Sequence, residues 1–135
     1  MDLIIRENSC SFLYSDVSSN NLSVLPDGLF SRNYKINKIQ FDRNNLQEIP
    51  VDLFAAGKNL RKIDFSNNNL REIPELLFNN TYNLRYVHLK NNSIQGIPNQ
   101  FLFSTPEITL LDFYHNNLSN MPSDLLKKTT KLKSL

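Results

Sequence analysis

A step of 24 residues, kept without insertion or deletion through five copies, constrains the fold of this chain more than any other feature. One copy reads "FSNNNLREIP" at residues 65–74, and the others read "VSSNNLSVLP", "FDRNNLQEIP", "LKNNSIQGIP" and "FYHNNLSNMP". An asparagine and a proline keep this step throughout: Asn20, Asn44, Asn68, Asn92 and Asn116, and Pro26, Pro50, Pro74, Pro98 and Pro122. A fixed period of this length indicates a solenoid in which each copy packs only on its neighbours.

Each copy also contains an alternating stretch, such as "KIDF" at residues 62–65, which predicts a short strand with one buried face. Strands that recur at the same place in each copy can pair in parallel, and the rest of the unit supplies the long return connection. We therefore expect parallel strands near residues 38–41, 62–65, 86–89 and 110–113 on one concave sheet. Because proline cannot donate to a β-ladder, the five repeat prolines are expected on the outer return path.

The repeated asparagine is expected to have a structural role. A tight turn after each strand leaves buried backbone groups without partners, and a carboxamide offers both donors and an acceptor. Asn68, stacked between Asn44 and Asn92, is expected to satisfy such groups in its own turn and in the next one, whereas Asn67 and Asn69 should point to solvent. The far side of the core is assigned to one residue of each copy: Phe30, Phe54, Phe78, Leu102 and Leu126.

This pattern resembles the typical 24-residue class of leucine-rich repeat found in extracellular proteins. The segments "LFNNTYNLRYVHLKNNSI" and "LFAAGKNLRKIDFSNNNL" are further similar to ectodomains of Toll-type receptors, notably arthropod ones. The resemblance implies an α/β solenoid, a right-handed superhelix with a short parallel concave sheet and a convex side of irregular, 3-10 or short helical segments. It divides the chain into a flank at residues 1–11 and a repeat domain at residues 12–135, with copies starting at 12, 36, 60, 84 and 108 and a partial sixth from 132.

The two ends bear on the compartment. The flank contains one cysteine, Cys10, which can form no internal disulfide, although "CSFLYSDVSSNNLSVLP" resembles the end of a cysteine-rich cap. Residues 1–10 do not have the apolar core of a signal peptide, and no apolar run is long enough to span a bilayer. Leu132 and Leu135 are expected to lie uncovered over the core of the fifth copy. We interpret the chain as a fragment of a longer ectodomain, whose uncapped C-terminal end promotes self-association.

Residues that could carry chemistry are sparse. Three glycines cannot build a phosphate-binding loop, and Cys10 with two distant histidines forms no nucleophilic arrangement. His88 and Asp112 occupy the same strand position in adjacent copies, with His115 nearby, which would suit a metal half-site or an acid–base pair. A solvated strand face with a cross-strand ion pair is the favoured interpretation. We therefore predict no catalytic residue, no metal, no cofactor and no enzymatic activity.

Charge gives no reason to expect a nucleic-acid partner. The net charge is +2, and the Lys and Arg residues are spread along the chain. The one basic concentration, "LLKKTTKLKSL" at residues 125–135, is interpreted as the solvated edge of a repeat.

The strand side chains that face solvent are the candidate binding surface, since solenoids bind through such concave faces. The early copies contribute a mixed charged face: Tyr14, Asp16, Lys38, Gln40, Asp42, Arg43, Lys62 and Asp64. The candidate protein-binding residues lie in the later copies: Tyr86, His88, Lys90, Leu110, Asp112, Tyr114 and His115. Exposed tyrosines among charged neighbours are typical of protein contacts.

Two functions are compatible with this surface. Resemblance to Toll-type ectodomains implies an extracellular or cell-surface receptor module in innate immune or developmental signalling, which binds a protein ligand (a cystine-knot cytokine in arthropods) and pairs with a second receptor chain. The alternative is a cytoplasmic scaffold that binds a signalling protein through the same face. Intracellular repeats usually have a shorter step, so the step of 24 favours the receptor. In a secreted protein, the sequons at Asn21, Asn79, Asn91 and Asn117 are candidate glycosylation sites.

Overall fold

The computed structural model describes residues 14–135, which form one parallel sheet of five short strands. The strands lie side by side in chain order: β1 (Tyr14–Asp16), β2 (Lys38–Gln40), β3 (Lys62–Asp64), β4 (Tyr86–His88) and β5 (Leu110–Asp112). Each residue pairs with the residue 24 positions later, as Ile39 does with Ile63. The predicted parallel sheet and the solenoid fold are confirmed.

The core consists of rows of side chains, with one member from each copy. In β2 to β5 the middle residue of the strand is buried and its two neighbours face solvent, which is the alternation that the sequence predicts. A second row is aromatic: the rings of Phe41 and Phe65 stack with centroids 4.9 Å apart. The rings of Phe54 and Phe78 continue this packing towards the convex side, at 6.0 Å. Such stacked aromatic pairs stabilise the contact beyond the area that they bury.

The return segments are a succession of turns. In four copies the carbonyl of the repeat proline accepts a hydrogen bond from the amide three residues later, as Pro50 does from Leu53 at 3.1 Å. The prolines thus lie on the outer path, as predicted. No helix occurs within residues 14–135. Of the three kinds of convex segment that the resemblance implied (irregular, 3-10 and short helical), the described residues show the irregular kind. In that same range, no segment is a helix that could cross a membrane.

Three expectations about individual residues differ from the structure. Leu126 is 44% exposed, whereas its neighbour Leu125 is buried. A core side chain of a solenoid is covered by the copies on both sides, and in the described residues Leu126 has such a neighbour on one side only. Leu132 packs against the core as predicted, but Leu135 is 53% exposed, because the sixth copy pairs with β5 only at Ser134. Asn67 is half-buried rather than solvent-facing.

Cys10 and Phe12, which the repeat pattern assigns to the flank and to the first copy, lie outside the described residues. In β1 the middle position is Ser15, which is half-buried, and both of its strand neighbours are exposed. The first described strand therefore has a weaker apolar face than the other four.

Candidate protein-binding surface

A row of buried carboxamides holds the turn beneath the concave sheet. Asn68 Oδ1 accepts the backbone N–H of Leu46 at 3.0 Å, and its Nδ2 donates to the carbonyls of Phe65 and Phe41, both at 3.0 Å. Asn44, Asn92 and Asn116 make the same three contacts with residues 22, 27 and 3 positions earlier. Each asparagine thus bonds its own turn and the turn of the preceding copy.

Asn20 makes only the bonds within its own turn, to the carbonyls of Val17 and Ser18. Its oxygen has no donor within the described residues, and residues 1–13 lie outside the described range.

A second row, which sequence reasoning missed, runs along the rim of the concave face. One residue in each copy has a left-handed backbone, with φ between 53° and 57°: Ser19, Arg43, Asn67, Asn91 and His115. Asn91 Nδ2 donates to Asn67 Oδ1 at 2.8 Å, and His115 Nδ1 lies 3.1 Å from Asn91 Oδ1. Glycine and asparagine adopt the left-handed conformation more readily than other residues. The repeated asparagines that follow each strand were therefore the sequence signal from which a left-handed turn could have been predicted.

The strand register sorts the concave face into two rows of exposed or half-buried side chains. The first residues of the strands are Tyr14, Lys38, Lys62, Tyr86 and Leu110. The third residues of the strands are Asp16, Gln40, Asp64, His88 and Asp112. One edge of the face is therefore cationic and aromatic, and the other is mainly acidic.

His88 lies within this acidic row. Its Nδ1 is 4.0 Å from Asp112 Oδ2, so the two side chains are neighbours across the sheet. Burial lowers the pKa of His88 below its ordinary value; the Asp64 and Asp112 carboxylates oppose this shift, while Lys62 and Lys90 add to it. The imidazole is therefore neutral at neutral pH, and the contact is a true ion pair only in acid. Within residues 14–135 no group of three or more His, Cys, Asp or Glu side chains could hold a metal ion.

His115 does not join His88. Its ring stacks on Tyr114, with centroids 4.1 Å apart, and its Nδ1 faces Asn91. Tyr114 is 68% exposed and Tyr86 is 42% exposed. Leu110 pairs in register with Tyr86, so these two side chains form an aromatic and aliphatic area at one edge of the concave face. Lys90 and Tyr114, which are both exposed, follow the acidic row and directly precede the rim residues Asn91 and His115.

The early copies contain a tighter polar network. The Tyr14 hydroxyl lies 2.6 Å from Asp16 Oδ2 and 3.0 Å from Gln40 Oε1, and Lys38 Nζ lies 4.6 Å from the Tyr14 ring centroid. The hydrogen bond to Asp16 raises the pKa of Tyr14 to about 12. Hydrogen bonds from Ser18 and then from Tyr14 hold the pKa of Asp16 below its usual value.

The four sequon asparagines are all exposed. Asn91 is on the concave rim, where its Nδ2, the atom to which a glycan would be attached, donates to Asn67. Asn79 is on a return segment, where it accepts a hydrogen bond from Ser104 at 3.3 Å.

Several solved structures share this fold. The leucine-rich repeat domain of APL1 has a TM-score of 0.80 at 20% identity, over 87% of this chain and 30% of that one. The Drosophila Toll–Spätzle complex, in its glycosylated form, contains a chain with a TM-score of 0.84 at 27% identity, over 89% of this chain and 16% of that one. The LRIM1/APL1C complex contains a chain with a TM-score of 0.78 at 26% identity, over 81% of this chain and 20% of that one.

The present chain spans at most 30% of the length of each of these chains. No curated protein matches it. A family model described as the BspA-type leucine-rich repeat region, with six copies, matches residues 8–135. Domains of this kind are generally protein-interaction modules rather than enzymes. The stacked strands, the buried asparagine row and this match together show that the chain belongs to the leucine-rich repeat family.

Proposed function

We propose that this chain is a protein-recognition module of an extracellular, Toll-type ectodomain, and that its concave face contacts the protein ligand in innate immune or developmental signalling. The similarity to a chain of the Toll–Spätzle complex at 27% identity supports the receptor class. The LRIM1/APL1C complex, at 26% identity, supports pairing with a second repeat chain.

The observation that carries the proposal is the exposed tyrosines of the later copies, one on each side of the acidic row. Tyr86 and Tyr114 present large, rigid side chains to solvent, and Leu110 lies beside Tyr86 on the adjacent strand. Tyrosines at protein interfaces contribute large apolar area while the hydroxyl stays hydrogen-bonded. Interface hot spots are enriched in such residues, so these tyrosines are expected to dominate the binding energy.

The proposal is tested by measuring the affinity of the immobilised chain for two purified probes, Spätzle and the LRIM1 repeat domain. The variant Tyr86→Ala with Tyr114→Ala should bind its ligand at least about tenfold more weakly, which corresponds to about 1.4 kcal/mol. The matched control is Tyr34→Ala with Tyr82→Ala, because these tyrosines are 62% and 50% exposed on the return segments. The control should bind as the unaltered chain does.

An equal loss in both double variants would contradict a concave binding site. Absence of binding by both probes would remove the Toll-type assignment and favour the cytoplasmic scaffold. Expression behind a secretion signal provides an independent test of the compartment. Modification at Asn21, Asn79 and Asn117, detected as a mass shift on enzymatic deglycosylation, is expected for an extracellular protein.

A further inference from the structure

Nine positions at the start of the first three return segments form a stacked array on the outside of the solenoid. Each row keeps the 24-residue step, so its members lie on successive copies. Eight of the nine residues are exposed, and the ninth is a half-buried glycine. We call this surface the acidic array. Its first row is Val24, Glu48 and Glu72, its second row is Asp27, Val51 and Glu75, and its third row is Gly28, Asp52 and Leu76.

The acidic array combines unpaired charge with exposed aliphatic area. Its five carboxylates form no ion pair within residues 14–135. Its three aliphatic side chains, Val24, Val51 and Leu76, are 62%, 59% and 50% exposed. Two grooves run through it between the copies; the first is lined by Val24, Asp27 and Glu48 with the neighbouring prolines, and the second by Glu48, Glu72 and Arg71.

The array is confined to the early copies. At the three equivalent positions the fourth copy has Gly96, Asn99 and Gln100, which carry no charge. In the fifth copy only Asp124 is acidic, and it pairs with Lys127. Because the fold repeats and the charge does not, the 24-residue scaffold does not require these carboxylates.

The fifth copy presents the opposite combination. We call this surface the basic edge; it contains Phe103 of the fourth copy, three exposed lysines of the fifth, Lys127, Lys128 and Lys131, and the exposed Lys133 of the partial sixth copy. Lys128 Nζ lies 3.3 Å from the centroid of the Phe103 ring, which is 63% exposed. Asp124 and Glu107 pair with Lys127 and Lys131, so within the described residues Lys128 and Lys133 have no acidic partner. A groove beside Lys128 is lined by the apolar residues Leu102, Phe103 and Leu125 and by polar residues that include Asp124 and Lys127.

We propose that these two surfaces bind each other between two copies of this chain. An antiparallel, two-fold pair places the acidic array of each copy against the basic edge of the other, so the complementary contact is made twice and the assembly closes at two copies. Unpaired charges of opposite sign attract within the screening length of about 8 Å at physiological salt, and the exposed aliphatic and aromatic side chains supply apolar contact. The net charge of +2 per chain is small, so the overall repulsion between two copies is weak.

The pairing is independent of the proposed concave binding site. The acidic array and most of the basic edge are built from return segments, and Lys133 directly precedes Ser134, which pairs with the first residue of β5. Neither surface contains a residue of the five strands. A paired chain therefore keeps Tyr86 and Tyr114 available to a ligand. The contact is small and polar, so we expect a weak, micromolar dimer rather than an obligate one.

The first test is sedimentation velocity of the full chain over a range of concentrations at two ionic strengths. At about 20 mM salt the mass should rise with concentration towards twice the monomer mass of 15.7 kDa, and at about 500 mM salt it should return to the monomer because screening shortens the attraction. Association by stacking of apolar ends would instead persist or strengthen at high salt. A salt-independent dimer or a monomer under all conditions overturns the proposal.

The second test uses two charge-reversed variants, Glu48→Lys with Glu72→Lys and Lys128→Glu with Lys133→Glu. Each variant alone places like charges opposite each other and should be monomeric. An equimolar mixture restores complementarity at both contacts and should form a dimer that contains one copy of each variant.

Recovery in the mixture also shows that both variants are folded. Because the two variants carry net charges of +6 (+2 + 4) and −2 (+2 − 4), which attract each other, a separate control tests the effect of net charge. The control Lys35→Glu with Lys58→Glu changes the net charge as the basic-edge variant does, at two exposed residues outside both surfaces, and should still dimerise. Two monomeric variants that do not recover on mixing, or a control that loses the dimer as well, would overturn the proposal.

Discussion

Removal of one buried carboxamide tests the structural role of the asparagine row most directly. In Asn68→Ala the backbone N–H of Leu46 loses its partner, and Leu46 is completely buried. The three carbonyls that Asn68 also bonds are affected less. Phe41 O still accepts from Asn44, Phe65 O still accepts from Asn92, and Ser66 O still accepts from the backbone N–H of Arg43. The substitution therefore orphans one donor and leaves three acceptors with one bond fewer.

The magnitude follows from that count. A buried polar group without a partner costs about 1–3 kcal/mol of unfolding free energy, so we expect a loss of about 2 kcal/mol for Asn68→Ala. Asn68→Asp should cost at least as much. The aspartate keeps an acceptor for the Leu46 N–H, but its second oxygen faces the carbonyl oxygens of Phe41 and Phe65, where the amide nitrogen had donated.

Urea unfolding followed by circular dichroism gives the comparison, and neighbouring asparagines give the controls. Asn69 is exposed, and its backbone N–H bond to the Leu46 carbonyl does not depend on its side chain. Asn69→Ala should stay within about 0.5 kcal/mol. Asn67→Ala should cost about 1 kcal/mol, because alanine is strained at the φ of 57° that Asn67 adopts. Equal losses at Asn68 and Asn69, or a loss below about 0.5 kcal/mol at Asn68, would refute this reasoning.

Two further predictions concern other parts of the chain. A Cβ added at Gly57 would lie 2.8 Å from a backbone carbonyl oxygen and 2.9 Å from Thr81 Cγ2. Gly57→Ala should therefore lower the unfolding free energy by about 1–3 kcal/mol in the same urea assay. In the control Gly96→Ala the added Cβ meets only the exposed side-chain amide of a neighbouring residue, so this variant should be nearly as stable as the unaltered chain. The pKa of Tyr14 is raised from 10.0 to about 12, so its stabilising contribution is complete below pH 10 and is lost as the pH rises through 12. An alkaline absorbance titration should show this tyrosine ionising last. In Asp16→Asn the pKa of Tyr14 should fall back towards 10.0. An unchanged Tyr14 pKa in that variant would show that the hydrogen bond to Asp16 is not the cause of the raised value.

The solenoid could be predicted from the sequence because its cause is local and repeated. A strand of three residues such as Lys62–Asp64 needs only one buried side chain, and the alternation that marks it is readable in every copy. The 24-residue step then determines which residues become neighbours, so periodicity alone places Asp64, His88 and Asp112 in one row, where the strand register also has them. In a strict repeat, the local sequence pattern therefore also predicts which residues are neighbours in the tertiary structure.

Other features depended on three-dimensional geometry that no single copy contains. Asn68 bonds its own turn as expected, but its other bonds go to the preceding turn and not to the following one, because the stagger between copies brings the Leu46 N–H and the Phe41 carbonyl to its amide. The left-handed backbone of Asn67 and His115 follows from the path of the turn after the strand, and neither residue type requires it.

The exposure of Leu126 was also decided by tertiary structure, because how far a side chain is covered depends on the copies packed beside it and is not a property of the repeat position alone. The acidic array and the basic edge are a further case. Their residues are far apart in sequence and become surfaces only when the copies stack. Periodicity predicts which positions align, but only stacking shows which aligned side chains are exposed and which charges have no partner.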